Sequence, residues 1–370
     1  MESSSPKIIA FYLPQFHPTP HNDEWWGKGF TEWTNVAKAK PLFRGHYQPK
    51  IPADLGFYDL RMPEVRQQQA ILAKEAGVTG FCYYHYWFEN GREELDYPFK
   101  EVLRLKEPDF PFCLCWANES WWKKMWNKDT SMKEGSKILA EQKYLGEEDN
   151  KKHFYALLDA FKDSRYIRIN DRPLFMIYRP LFFDNIDKFI SQWNELAKAN
   201  GLNGFHFVGY SLLPDKEYDS IKSLGFDAVC SCRLDRNVRR NLGWAFRKAV
   251  SIAFHTPRRI QYKKIISKLV SDSEYRNNIY PTMIPNWDHT ARSGVNGDLY
   301  TKSTPQLFEK HAMDVLNHIK DKPVDSQIAF LKSWNEWGEG NYMEPDLKFG
   351  KGFIKALKRA INKVYSRNEK

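Results

Sequence analysis

The stretch "QIAFLKSWNEWGEG", residues 327–340, decides the reading of this chain. Its first half is a short apolar run of strand length. Its second half sets two carboxylates, Glu336 and Glu339, among Trp334, Trp337 and two glycines. A buried strand that runs straight into acids and aromatics reads as a strand whose far end opens on a site. If so, other strands in the chain should end the same way.

Seven further apolar or β-branched runs precede it: 7–13, 78–84, 111–117, 173–179, 204–210, 226–231 and 281–287. Helical patterns separate them at 63–76, 95–105, 150–163, 185–199, 215–223, 243–270 and 305–319, with a last one at 351–365. Near-continuous apolar strands suit a parallel sheet buried on both faces. Alternation with helices leaves a (β/α)8 barrel or a doubly wound sheet. No GxGxxG follows the first run, and the count of eight favours the barrel of the TIM type. No linker, repeat or low-complexity tract interrupts residues 1–370, so one domain with elaborated loops on its C-terminal face is expected.

Such barrels carry their sites at the C-terminal ends of the strands. There the chain places "YLPQFHP" (Tyr12, Gln15, His17), "YYHYWF" (Tyr84, His85, Trp87), "CWANESWW" (Trp116, Asn118, Glu119, Trp121), "IYRP" (Tyr178, Arg179), "NWDHTAR" (Trp287, Asp288, His289) and "WNEWGEG" (Asn335, Glu336, Trp337, Glu339). The opposite ends read "SPK", "AGVT", "NDRP", "NGLNG" and "KPVDS", ordinary turns. Aromatic faces stack on the C–H faces of sugars, and carboxylates and amides bind hydroxyls. These rim residues are therefore candidate ligands of an oligosaccharide or polysaccharide. Any one aromatic is as well explained as a core filler with a satisfied polar atom; six strand ends together favour a site.

Glu336 and Glu339 are candidate catalysts. Residues three apart on a helical turn face one way, with Cβ atoms about 5–6 Å apart. Retaining glycosidases need their two carboxyls about 5–5.5 Å apart. The neighbouring tryptophans would lower the local dielectric and raise the pKa of one acid. Glu344 reads equally well as structural. No HxH or HExxH pattern supports a metal, and no cofactor motif occurs.

At these residues the chain also resembles a known family. "IAFYLPQFHPTPHNDEWWGKGFTEWTNV", "PLFRGHYQPKIPADLGFYDLR", "GFCYYHYWF", "FPFCLCWANESW" and "SWNEWGEG" resemble the WbsX family of bacterial surface-polysaccharide gene clusters, over about residues 6–345. That family is similar to glycoside hydrolase family 99, the endo-α-mannosidases and mannanases, which are (β/α)8 barrels. The resemblance implies that Glu336 acts as a base on the sugar's own 2-hydroxyl and that Glu339 protonates the leaving oxygen. Gly338 stands where those hydrolases commonly carry a larger residue.

Composition restricts the alternatives. The chain is 42% hydrophobic and 28% charged and contains no apolar run of transmembrane length. Its start, "MESSSPKIIAFYLP", does not have the form of a signal peptide. The odd number of cysteines, including the Cys113/Cys115 and Cys230/Cys232 pairs in apolar runs, reads as buried free thiols in a reducing cytoplasm. The net charge of +10 concentrates in 233–268. There Leu242, Phe246, Ala249, Val250, Ala253 and Phe254 recur at helical spacing. This segment is either a solvated helix with its apolar face in the core, or a peripheral contact with an anionic inner membrane or a lipid-linked glycan. No nucleic-acid motif accompanies the charge. The expected activity is that of a retaining, glycosidase-like enzyme. One rival is a cytoplasmic glycosyltransferase of O-antigen or capsule assembly, although no DxD-like motif occurs. Another is a glycan-binding module, which needs the aromatics but not the acids.

Overall fold

The eight apolar runs all form strands. The computed structural model describes residues 5–122, 137–234 and 243–365. Within them β1 (Lys7–Tyr12), β2 (Gly80–Trp87), β3 (Phe112–Trp116), β4 (Arg172–Ile177), β5 (His206–Ser211), β6 (Ala228–Ser231), β7 (Ile279–Met283) and β8 (Ile328–Leu331) pair in parallel, each with its sequence neighbour. The ring closes where β1 pairs with β8, Lys7 opposite Ile328, and with β2, Ile9 opposite Gly80. The ring is closed, so none of these eight barrel strands is an edge strand.

Helices α1 (Pro63–Ala76), α2 (Tyr97–Leu105), α3 (Glu147–Lys162), α4 (Ile186–Ala199) and α5 (Pro214–Ser223) follow β1 to β5 in turn. Helix α6 (Trp244–Ala253) follows β6, α7 (Pro305–Ile319) follows β7 and α8 (Gly352–Tyr365) follows β8. Three signals explain the start and stop of α1: Pro63 at its first position, Gly77 after it at φ 88°, and no glycine or proline between. Trp193 of α4 fills the layer between helices and strands, against Phe154, Phe161, Phe175 and Phe205. The lumen is filled by rings from several strands: Phe11 stacks on Tyr84 at 5.5 Å and on Phe330 at 5.3 Å, with Tyr210 edge-on. All five cysteines are buried, and none forms a disulfide. Among the described residues no helix is long and apolar enough to cross a membrane.

Two expectations need correction. The helix read over 243–270 ends at Ala253: Pro257 stops it, and Arg258–Gln261 instead pairs as a strand with Asp298–Thr301. Its apolar face does not join the core either. Phe246, Ile252 and Phe254 are more than 70% exposed, and Ala249 and Ala253 are also exposed. Leu242 lies outside the described residues.

The connection from β1 to α1 is the longest elaboration of the C-terminal face. It contains two short helices, Pro20–Trp26 and Glu32–Lys38, and it delivers Glu32, His46, Gln48 and Lys50 to the loops after β7 and β8.

Candidate active site

Side chains alternate between lumen and helix layer along each barrel strand. At the end of β2, Tyr84 and Tyr86 face inward while Tyr83, His85 and Trp87 face the helices. The inward set meets the loop after β8 around a small cavity of about 120 Å³. Its wall includes Gln15, Tyr84, Tyr86, Glu119, Trp121 and Tyr178, and its base is formed by Lys332, Arg292, Glu336 and Glu339. Through Glu119 and Tyr178 it adjoins a wider cleft of about 820 Å³, lined by Tyr144, Arg179, Phe182 and Tyr210 among others.

The two glutamates lie at the start and end of one tight turn: Glu336 closes a two-residue strand and Glu339 ends the 3₁₀ turn Trp337–Glu339. A single guanidinium ties them together. Arg292 donates from Nη2 to Glu336 Oε1 at 2.6 Å, from Nη1 to Glu339 Oε1 at 2.6 Å, and from Nε to Glu32 Oε1 at 2.9 Å. All five N–H donors of arginine lie in one plane, so this fork fixes the carboxyls relative to one another. Gly338 makes the arrangement possible. A Cβ there would overlap the Glu32 carboxylate and stand 2.9 Å from Arg292 Nε. The departure from the hydrolase pattern at this position is therefore the space that Glu32 occupies.

The electrostatics separate the pair. Burial pushes Glu336 up to about 8, reinforced by the charges of Glu339 and Glu32 and only partly offset by Arg292. Burial also acts to raise Glu339, but Arg292, Lys332 and His289 outweigh it and hold that carboxyl below the ordinary range. These shifts favour a single shared proton on Glu336 from above the depressed range of Glu339 up to about pH 8. Lys332 stays charged in the lumen: burial opposes its charge, but Tyr178, Glu339 and Glu336 raise its pKa well above the usual lysine value. Its ammonium donates to Tyr84 Oη at 3.3 Å and lies over the rings of Phe11, Tyr84 and Tyr210. This charge pattern is the reverse of the roles implied by the resemblance, in which Glu336 is the base.

Of the residues read from sequence as substrate ligands, Gln15, Tyr84, Glu119, Trp121 and Tyr178 line the small cavity, and Asn118 lines the wider cleft. The Asn118 amide is occupied by the Arg179 backbone and Tyr144 Oη. The others face elsewhere. Tyr12 points outward and donates to Gln69 at 2.6 Å. His17 bonds the Pro14 carbonyl. His85 bonds His153 at 2.8 Å, Trp87 stacks on His153 and Trp116 donates to the Trp87 carbonyl, all in the helix layer. Trp287 is buried and stacks on His289. Asn335 clamps Leu13 by both its N–H and its C=O. Trp337 donates to Glu344, which also accepts from Gln69 and Tyr58 and so is structural. Asp288 is saturated by His46, Gln48, Lys50 and Thr290 and cannot serve as a hydroxyl partner. Sequence reading missed Tyr86, Glu32, Arg292 and Lys332. The period-two rule would have found Tyr86 on β2 and Lys332, two residues after the lumen residue Phe330, at the end of β8; Glu32 and Arg292 meet through a long-range contact that no local pattern marks.

Comparison with known proteins agrees with this architecture. The "Uncharacterized protein WxcX" of Xanthomonas campestris pv. campestris is 33% identical over 359 residues, 96% of this chain and 50% of its own length. The chain spans about half the length of the curated relatives it matches. Among solved structures, the family 99 endo-α-mannosidase of Bacteroides thetaiotaomicron in complex with bis-tris propane superposes with a TM-score of 0.60, covering 100% of both chains at 13% identity. A glycoside hydrolase-like protein superposes with a TM-score of 0.59, covering 97% of this chain and 94% of that one at 16% identity. At such identities these two likenesses establish the barrel fold. The model of the family described as glycosyltransferase WbsX matches residues 8–357, and the chain belongs to that family.

Proposed function

We propose that this chain is a carbohydrate-active enzyme that breaks a glycosidic bond with retention, using Glu336 and Glu339. The observation that carries the reading is one arginine bridging a buried and a partly buried carboxyl, whose pKa values are pushed in opposite directions, at the base of an aromatic cavity. A fork that holds both carboxyls favours the short separation of a retaining pair. Glu336, neutral below about pH 8, suits proton donation to the leaving oxygen; Glu339, kept ionised, suits the base or nucleophile. The adjoining cleft, with Tyr178 and Phe182 on its wall, suits further sugar units.

The family's description as a glycosyltransferase favours a second reading, in which a sugar hydroxyl rather than water accepts the glycosyl unit. The two glutamates serve both, since the group that protonates the leaving oxygen can deprotonate either acceptor. The test is turnover of glycans, and of mannosides first, by the wild type and by Glu336→Gln and Glu339→Gln, with products separated into hydrolysis and transfer. Each variant should keep its fold and lose about 10²–10⁴-fold in rate. Full activity in either variant would remove that residue from the chemistry, and glycan binding without turnover by the wild type would leave a binding module.

A further inference from the structure

A second cavity, of about 710 Å³, lies on the far side of the Lys50–Asp288 pair from Glu339. The partition is one side-chain layer thick: the Asp288 N–H donates to the Glu339 carbonyl at 2.7 Å, and Lys50 Nζ packs on Gly340. The walls of this cavity come from residues 43–50, 259–264, 299–303 and 348–349 and from Arg247 of α6. They are strongly basic. Arg44, Arg259, Lys264, Lys302 and Lys348 all line it, are exposed, and form no ion pair among the described residues. Asp288, the one carboxylate in the wall among the described residues, is already matched by Lys50 at 3.0 Å and His46 at 3.1 Å.

Rings rather than acids hold two of these cations. The Arg259 guanidinium lies 4.4 Å from the centroid of Phe43, and the Lys348 ammonium 4.7 Å from Tyr47 and 5.0 Å from Phe349. A ring orients a cation without cancelling its charge, so the cavity keeps its field. Asn286, also in the wall, has a buried side-chain oxygen with no partner among the described residues, and its amide can turn to present its NH₂ group. A single carboxylate needs one arginine fork. Five cations from several segments, without an ion pair among the described residues, call for a multiply charged anion, and a mixture of lysines and arginines suits phosphate oxygens.

The helix that contributes Arg247 also carries Phe246 and Ile252, which with Phe254 are exposed at 74%, 71% and 72%. Its apolar side is left in solvent beside the basic cavity. An apolar helix face flanked by lysines and arginines is the pattern of a helix lying in an anionic membrane interface. We infer that the cavity binds the diphosphate of a membrane-held lipid diphosphate, with α6 seated in the bilayer interface beside it. This goes beyond the reading of Glu336 and Glu339. It rests on that reading only for the consequence that a diphosphate-linked sugar would sit one side-chain layer from Glu339.

Binding tests this without turnover. The full chain is sedimented with phosphatidylcholine vesicles containing farnesyl diphosphate, and with vesicles brought to the same surface charge by phosphatidylglycerol. The expected result is preference for the diphosphate vesicles, loss of binding as salt is raised, and competition by inorganic pyrophosphate. An Arg259→Glu/Lys264→Glu variant, and separately Lys302→Glu/Lys348→Glu, should each weaken that binding by about tenfold or more with unchanged melting. Phe246→Ser/Ile252→Ser should lose vesicles yet keep pyrophosphate in solution. Equal binding to both vesicles of matched charge would overturn the site in favour of a generally basic surface. Tight binding of uridine diphosphate with no vesicle preference would assign the cavity to a soluble nucleotide instead and overturn the lipid. Charge reversal without effect would overturn both.

Discussion

Gly338 and Glu32 occupy adjoining space: the Glu32 carboxylate sits where the first carbon of any side chain at 338 would be. Gly338→Ala should therefore push Glu32 off Arg292 and loosen the fork on Glu336 and Glu339. Overpacking of this kind costs about 1–3 kcal/mol, and turnover should fall with it. The control is a double-mutant cycle. If the overlap is the cause, Gly338→Ala costs much less stability in a Glu32→Ala background, as thermal or denaturant unfolding would show. Additive losses would mean that the glycine matters for its backbone alone.

The split charge states of the glutamates set a pH profile. Activity needs the proton on Glu336, so it should fall as pH rises through about 8. It also needs Glu339 ionised, and because that carboxyl is held low, the acid limb should lie below the ordinary carboxylate range. Glu336→Gln should abolish the alkaline limb. An unmoved alkaline limb in that variant would mean that another group titrates there.

Leaving-group dependence distinguishes the two role assignments. An aryl glycoside with an acidic phenol scarcely needs a proton donor. Loss of the acid is therefore tolerated on it far better than loss of the base. On the charge pattern found here, Glu336→Gln should retain more aryl glycoside cleavage than Glu339→Gln, about 10²-fold or more. The reverse order would restore the assignment carried over from the hydrolases.

Trp121 stands on the rim of the small cavity, edge-on to Tyr86 at 5.0 Å and to Phe88 at 5.5 Å. Trp121→Ala should damage oligosaccharide use more than aryl glycoside cleavage, because only the former needs a stacking platform beyond the scissile bond. Equal losses in kcat/KM on the two substrates would place Trp121 at the reacting sugar or in the packing. The rest of its loop, from residue 123, lies outside the described residues.

Which parts of this molecule were legible depended on the range of the interaction. The strand runs and seven of the eight helix patterns were readable because burial and amphipathic spacing are local signals. The sixth helix misled because its apolar spacing implies a buried face, whereas Phe246, Ile252 and Phe254 face solvent. The catalytic candidates were visible because their spacing falls within one turn. Several expected ligands, such as His85, Trp87 and Trp116, lie away from the cavity because the whole strand end was read as rim, whereas the pleat sends every second side chain to the helix layer. Arg292 and Glu32 were invisible for a different reason: 260 positions separate them in the chain, and only the closed barrel brings them to one carboxyl pair.

Asn335 carries a consequence for how the barrel is made. Its amide bonds both backbone groups of Leu13 across 322 positions, at 2.8 and 3.0 Å, beside the seam where β8 meets β1. Asn335→Leu should orphan these buried groups at a cost of about 1–3 kcal/mol each, read by denaturant unfolding; unchanged stability with a raised KM would instead make Asn335 a ligand. In the cell the first strand emerges long before its last partner. At about 5–20 residues per second, one edge of β1 waits on the order of 15–65 s for β8 to be translated. Ribosome-stalled chains that stop before residue 328 should then be cut by protease around β1, and chains that include Asn335 should not. Closure of this barrel is a late event of biosynthesis, and the nascent chain must be kept from pairing its open edge with a neighbour in the interval.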